Sequence, residues 1–439
     1  MGAAVLRNRD FRRLWTATTI DSFGSWLLVM AVPLQVFALT GSALSTGLAL
    51  AFQALPAVLV APWAGVAVDR WHRKRVLVAA NVAAAVAVSL MLLATTPDRI
   101  TVVYVGLILE NVAVCFMRPA IAALTPAVVG RGADLASANA LSAFTNSAFR
   151  MLGPLAGTFL VAGGWFEAAV LIDAGSYLVA AGIVMSIGVS HADPPDRVAP
   201  RIVGELRGGL RHIVRAPLLR GLLVTSWVYW TANAALTALL IPFVVTRLHS
   251  SGQALGYLIG GLGVGYLVGS AISRILTARY PTRTILTASY ALVGICFLVM
   301  FTATALPIAL LAVTASGVPG AVAQVVTGHR VQTSTPNPVL GRVSAAFYTS
   351  DSVAAVAGAL IGPAVMALIG LDAALDAFCL AVLVVAAVAV VVLPAASTDE
   401  PQDTTTLPCA AALEGPDDRA TVGRGRSTPR PCPPGTSGL

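Results

Sequence analysis

Apolar residues run through this chain in long uninterrupted stretches, and charge is confined mostly to the short gaps between them. Twelve such runs can be counted. The first six are about Leu14–Leu39, Thr46–Val68, Val76–Thr96, Ile100–Val128, Leu135–Gly163 and Ala168–Val189. The second six are about Leu218–Thr246, Ala254–Leu276, Ile285–Thr304, Leu306–Thr327, Val343–Ile369 and Ala373–Leu393. At 1.5 Å per residue, about twenty residues of helix cross the ~30 Å hydrocarbon core of a bilayer. The pattern predicts an all-α membrane protein with twelve transmembrane helices.

A repeat runs through the twelve. Pro33 pairs with Pro242, Gly47 with Gly256, Gly153 with Gly362 and Pro154 with Pro363, each at an offset of 209 residues. The constant offset predicts two pseudo-symmetric six-helix halves, residues 1–190 and 218–395. Residues 191–217 join the halves. Within them Ile202, Leu206, Leu210 and Ile213 fall on one face of a short helix, and Arg207, Arg211 and Arg215 on another. Such a helix is expected to lie on the inner leaflet with its arginines near anionic lipid. A solvated linker with chance periodicity is the alternative. Residues 396–439 are rich in Pro, Thr, Asp, Gly and Arg and read as a disordered tail.

Composition agrees with lipid as the solvent. Of 439 residues, 57% are hydrophobic and only 11% charged, well under the roughly 25% of a soluble domain. The net charge of +8 would suit a nucleic-acid partner, but the basic residues sit in loops between the runs. Arg7, Arg9, Arg12 and Arg13 precede the first run, and Arg70, Arg73, Lys74 and Arg75 follow the second. Six arginines between Arg197 and Arg220 follow the sixth, and Arg274, Arg279, Arg283, Arg330 and Arg342 continue the alternation. The opposite side holds Arg99 and Arg247. This asymmetry predicts both termini in the cytoplasm of a cell-membrane protein. Only one of the 28 basic residues, Lys74, is lysine. The five cysteines have neither zinc spacing nor a disulfide framework. No cleavable signal peptide, metal or cofactor is expected, and no nucleic acid.

The second and third runs are joined by Gly65-Val-Ala-Val-Asp69-Arg70-Trp-His-Arg73-Lys74-Arg75, with five charges in seven residues. This string resembles the loop between the second and third helices of the major facilitator superfamily. The resemblance implies that Gly65, Asp69, Arg70, Arg73, Lys74 and Arg75 form a conformational latch between the halves. A glycine usual in that loop is His72 here, so the turn must be made differently. A plain topological anchor also fits.

The fifth run contains Arg150-Met-Leu-Gly153-Pro154-Leu-Ala-Gly157. Gly153 and Gly157 form a small-xxx-small face that admits a neighbouring helix, and Pro154 permits a bend. The string resembles the antiporter motif of exporting facilitators, and Gly358-Ala-Leu-Ile-Gly362-Pro363 is a weaker copy. Further strings (Phe11-Arg12-Arg13-Leu14-Trp15, Leu39-Thr40-Gly41-Ser42-Ala43, Arg118-Pro119-Ala120, Ala138-Asn139-Ala140 and Leu171-Ile172-Asp173-Ala174) are similar to the drug:proton antiporter branch that includes macrolide and siderophore exporters. That branch often has an acid directly before a first-helix tryptophan. Here Ser25 precedes Trp26, and the acid is Asp21, one helical turn earlier.

Asp21, Glu110, Arg118, Arg150, Asp173 and Asp351 lie inside apolar runs. Each costs about 2.5–3.5 kcal/mol at the centre of an isolated span, so each must pair, face water or hold a proton. The resemblance places Asp21, Glu110 and Arg118 on cavity-lining helices. Glu110 and Arg118 are two turns apart, too far for contact, and Glu110 is expected to reach Arg150. Proton coupling and a structural ion pair both remain open for these groups. Trp26, Gln35, Trp230 and Asn233 are candidate cavity residues, whereas Trp227 reads as interfacial or packing.

The expected function is therefore a proton-coupled exporter, a monomer acting on small apolar molecules such as drugs. A dedicated exporter of a self-made siderophore or antibiotic is the alternative, and a non-transporting membrane sensor is a third reading. No hydrolase, metalloprotease or P-loop string suggests an enzyme.

Overall fold

The computed structural model describes residues 5–94, 96–130, 133–188, 202–250 and 252–394. Residues 191–201 of the expected linker and the whole of the expected tail, 396–439, lie outside the described residues. Among the described residues the structure is helical, with no strand. The first half contains α1 (Arg9–Thr40), α2 (Ala43–Leu59), α3 (Ala61–Arg70), α4 (Arg73–Ser89), α5 (Ile100–Val129), α6 (Ala133–Ala162) and α7 (Phe166–Met185). The linker helix is α8 (Ile202–Arg215). The second half contains α9 (Pro217–Pro242), α10 (Gly252–Arg279), α11 (Thr282–Thr302), α12 (Leu306–Thr333), α13 (Asn337–Ile369) and α14 (Leu371–Val392).

Ten of the described helices are long and apolar enough to cross a membrane. The expected second crossing is not one helix. It divides at Val60 into α2 and α3, with Pro62 in the first turn of α3. Proline has no backbone N–H to donate, so one rung of the ladder is missing where the run divides. The expected fifth crossing, α6, is 30 residues long but carries Asp134, Asn139, Asn146 and Arg150. Proline is otherwise absorbed inside helices, at Pro33, Pro56, Pro119, Pro126, Pro154, Pro319 and Pro363. At Pro242 the α-helical part of α9 gives way to one π-helical turn, Phe243–Arg247.

The halves repeat each other in packing. In the first, α1 packs on α6 and α7, and α4 packs on α5 and α7. In the second, α9 packs on α13 and α14, and α11 packs on α12 and α14. Each half has its own hydrophobic core. One includes Leu27, Leu77, Leu107 and Tyr177, and the other Leu222, Leu239, Phe243 and Cys379. Two seams join the halves, α2 against α13 and α6 against α10.

The repeated glycines explain the seams. A Cβ at Gly47 would press on the Ala359 carbonyl and lie 2.7 Å from Pro363 Cγ. A Cβ at its repeat partner Gly256 would lie 2.6 Å from Thr158 Oγ1. These contacts fall near the ends of the helices remote from the basic loop. Side-chain volume there would force the two halves apart.

The linker helix differs from expectation. Ile213 is buried and Gly209 fits against the Arg342 backbone, so the Gly209–Ile213 stripe packs on α13. Leu210 and Val214 are left exposed beside Arg211 and Arg215. Leu210 and Ile213 therefore do not share one buried face. Glycine at 209 lets α8 settle on backbone, and that choice of face outweighs apolar periodicity. The side chains of Ile202, Leu206 and Arg207 lie outside the described residues.

Candidate functional site

Between the halves lies a cavity of about 680 Å3. Gln53, Asn111 and Arg118 line it from the first half, and Trp230, Gln324 and Asp351 from the second. A second cavity of about 440 Å3 shares Gln53, Asn111 and Arg118 with it and reaches Asp21, Trp26 and Glu110. The α13 residues lining the larger cavity, Tyr348 to Ala355, lie on the basic-loop side of the Ala359–Pro363 seam. Gly65 also lines it, and a Cβ there would meet nothing within 4 Å. The halves are thus joined at the far face and parted toward the basic loop.

That geometry makes a measurable prediction. Cys115 lines the larger cavity. An impermeant maleimide applied from the face opposite the basic loop is expected to label Cys115 slowly in the wild type. Gly47→Val should wedge α2 from α13 and raise the rate. An unchanged rate, read on the Cys115 peptide by mass spectrometry, would mean that this seam does not close the cavity.

Three carboxylates cluster beside the smaller cavity, each from a different helix; Asp21 and Glu110 line it, and Asp173 is buried behind them. Asp21 comes from α1, Glu110 from α5 and Asp173 from α7, and they retain 9%, 6% and 0% exposure. The Tyr177 hydroxyl donates to Glu110 Oε1 at 3.1 Å and lies 2.9 Å from Ser25 Oγ. Ser25 donates to the Asp21 carbonyl at 3.1 Å and approaches Asp21 Oδ1 at 3.3 Å. Ser176 donates to the Asp173 carbonyl at 2.7 Å, while Asp173 Oδ2 has no partner. Gly24 makes the assembly fit: a Cβ there would clash with the Asp173 carboxylate and lie 2.5 Å from Ser176 Oγ. Among the described residues no ion pair reaches any of the three acids.

The expected Glu110–Arg150 pair does not form. Arg150 instead lies over the Trp26 ring, 5.9 Å from its centroid, and Trp26 Nε1 donates to Asn146 Oδ1 at 3.0 Å. Arg118 crosses to the other half, donating to the Tyr348 hydroxyl at 3.2 Å. Asp351 stands apart from the three acids and accepts a 2.9 Å bond from Ser226 Oγ. Trp230 lines the larger cavity and packs edge-to-face on Tyr229. Trp227 is exposed. Gln35 and Asn233 line neither cavity, and the Asn233 carbonyl accepts from Thr237 Oγ1.

Sequence reading missed Tyr177, Asn146, Asn111, Gln53, Gln324 and Tyr348. A signal existed for Tyr177. Asp173, Ser176 and Tyr177 stand at i, i+3 and i+4, a polar stripe on a 20-residue helix that is otherwise apolar beyond Glu167 in its first turn.

The fifth-helix motif is a contact surface. A Cβ at Gly153 would lie 2.5 Å from Trp26 Cβ, and one at Gly157 would collide with the Leu27 carbonyl oxygen. Gly358 and Gly362 bring α13 equally close to α9 at Thr231 and Ala235. Pro154 sits within α6 between the two contacts.

The basic loop makes its turn without a left-handed residue. Trp71 (φ −106°, ψ 163°) and His72 (φ −65°, ψ 104°) are both extended between α3 and α4. Lys74 Nζ donates to the Ile187 carbonyl at 2.7 Å, just beyond the end of α7. Arg13 donates to the neighbouring Ser186 carbonyl at 2.6 Å, and Asp10 pairs with Arg13. Lys74 thus ties α4 to α7 within one half. Arg73 is partly buried and Arg75 exposed, and the Asp69 and Arg70 side chains lie outside the described residues.

The model of the transmembrane secretion effector family, a branch of the major facilitator superfamily, matches residues 2–416. This chain belongs to that family. Its members are membrane transporters, which fits the paired bundles and the cavity between them. Enterobactin exporter EntS of Citrobacter koseri is 26% identical over 360 residues, covering 80% of this chain and 84% of that protein. Enterobactin exporter EntS of Escherichia coli O1:K1 is 25% identical over the same coverage. Among solved structures, nucleoside transporter NupG (D323A mutant) superposes with a TM-score of 0.70 at 12% identity, over 88% of this chain and all of that one. The human organic anion transporter MFSD10 gives 0.57 at 17% identity, over 87% and 99%. At these identities the solved structures establish the fold alone.

Proposed function

We propose that this transporter exports a dedicated small metabolite of the siderophore class, in exchange for protons. The observation that carries the reading is the cavity. It offers a cation at Arg118, amides at Gln53, Asn111 and Gln324, an acid at Asp351 and an aromatic face at Trp230. A polar aromatic solute carrying negative charge matches that set, and the similarity to enterobactin exporters supports it. Drugs are a second reading, favoured by the alanine lining at Ala54, Ala57, Ala61 and Ala355.

The three clustered acids supply the coupling. With no ion pair to them among the described residues, the counter-charge within reach is a proton, and Tyr177 and Ser25 connect Glu110 to Asp21 by hydroxyls. Asp21 and Glu110 face the cavity, whereas Asp173 is sealed behind them. A solute that engages Arg118 would displace Tyr348 and couple occupancy to the contact between halves. The halves are residues 1–190 and 218–395 of one monomer, joined by 191–217, with both termini in the cytoplasm. The latch assignment of Gly65, Asp69, Arg70, Arg73, Lys74 and Arg75 belongs to the outward-open state. It would engage when the basic faces of the halves close.

Inverted vesicles with an imposed pH gradient test this. A catecholate siderophore should accumulate in response to the gradient, and a panel of apolar drugs should not. Drug accumulation without siderophore transport would select the second reading. Siderophore accumulation that ignores the gradient would remove proton coupling.

A further inference from the structure

Outside the transport path, a further cavity lies between α4 and α5. We propose that this groove holds one acyl chain of an anionic phospholipid, with the headgroup phosphate at Arg75. The groove measures about 870 Å3. It exists because α4 is alanine-rich: Ala79 and Ala83 expose a low floor, against which Leu109 and Phe116 of α5 form a wall. A slot this apolar offers water no hydrogen-bond partners, so a hydrocarbon chain is the solvent component that fits it.

Charge is confined to one end. His72 and Arg75 are the polar lining residues at that end, and every other lining side chain is apolar. Lys74, next in sequence, is turned inward to the Ile187 carbonyl, whereas Arg75 is exposed. Among the described residues the Arg75 guanidinium makes no ion pair or hydrogen bond. Trp71, 57% exposed, stands at the same end, where amphipathic aromatics mark the boundary between headgroups and hydrocarbon. From Arg75 to Leu90 the groove follows α4 for about 22 Å. That exceeds the ~15 Å half-thickness of a bilayer core, room for an acyl chain along its length. An unpaired cation at the interface, continuous with a chain-sized apolar slot, is complementary to a phosphate bearing a tail.

The test is native mass spectrometry of the full chain released from nanodiscs of equal parts phosphatidylglycerol and phosphatidylcholine. The wild type should retain one phosphatidylglycerol in preference to phosphatidylcholine. Ala83→Phe should fill the slot and lose that lipid. Ala79→Leu is a milder filling, used with a thermal melt to confirm folding. Arg75→Gln should keep a lipid but lose the preference for the anionic headgroup. Equal retention of both lipids by the wild type would overturn the headgroup assignment. Folded Ala79→Leu and Ala83→Phe proteins that keep the wild-type count would overturn the groove. Displacement of the lipid by a transported solute would make the groove a solute site, and would overturn it also.

Discussion

Gly157→Leu is expected to abolish transport while the protein still inserts into the membrane. A Cβ at Gly157 collides with the backbone carbonyl oxygen of Leu27, and backbone has no rotamer by which to retreat. The α1–α6 contact must open, and Gly153, one turn away against Trp26, is pulled from its seat with it. Overpacking of this kind costs about 1–3 kcal/mol even where neighbours can shift. Function suffers beyond stability, because Trp26 carries the Arg150 guanidinium and the Asn146 bond on the cavity wall. Gly157→Ala should give an intermediate loss. Efflux per unit of membrane-inserted protein, beside a thermal melt, is the measurement. Full activity in Gly157→Leu would show that α1 and α6 do not meet closely during the cycle.

The second large effect is expected at Glu110. Glutamine keeps an Oε1 to accept from Tyr177 and keeps the volume, but cannot gain or lose a proton at that oxygen. Glu110→Gln should therefore reduce gradient-driven efflux to the level of empty vesicles while leaving solute binding and downhill exchange intact. Asp21→Asn should mainly alter affinity, since Asp21 lines the cavity beside Trp26. Reversed phenotypes would move the coupling role to Asp21. Gradient-driven efflux in both variants would leave Asp173 or Asp351 as the carrier. Tyr177→Phe is the informative companion, because it removes the donor to Glu110 and leaves every carboxylate in place.

The architecture was legible in the sequence where physics acts locally. Long uncharged runs have to become membrane helices, and backbones that cross closely require glycine, so Gly47, Gly153 and their repeat partners could be read without coordinates. Where three helices meet, the sequence was mute. Asp21, Glu110 and Asp173 are far apart along the chain, and nothing local says that they share one pocket. Arg150 looked like the partner for Glu110 because both lay inside apolar runs. The structure sends it to an aromatic face instead, since Tyr177 already meets the carboxylate. The division of the second run at Val60 was missed for a different reason. Pro56 is carried inside α2, so a second proline six residues later did not stand out.

The offset of 209 residues also says something about descent. Carried across it, Asp21 becomes Trp230, Glu110 becomes Pro319 and Asp173 becomes Val382. An ancestral duplication explains the matched helix contacts, yet the acids have no counterparts in the second copy. The two copies have kept a common skeleton but not a common chemistry at these three positions. A chimaera built from two second halves would inherit the shape of a transporter without its triad of acids.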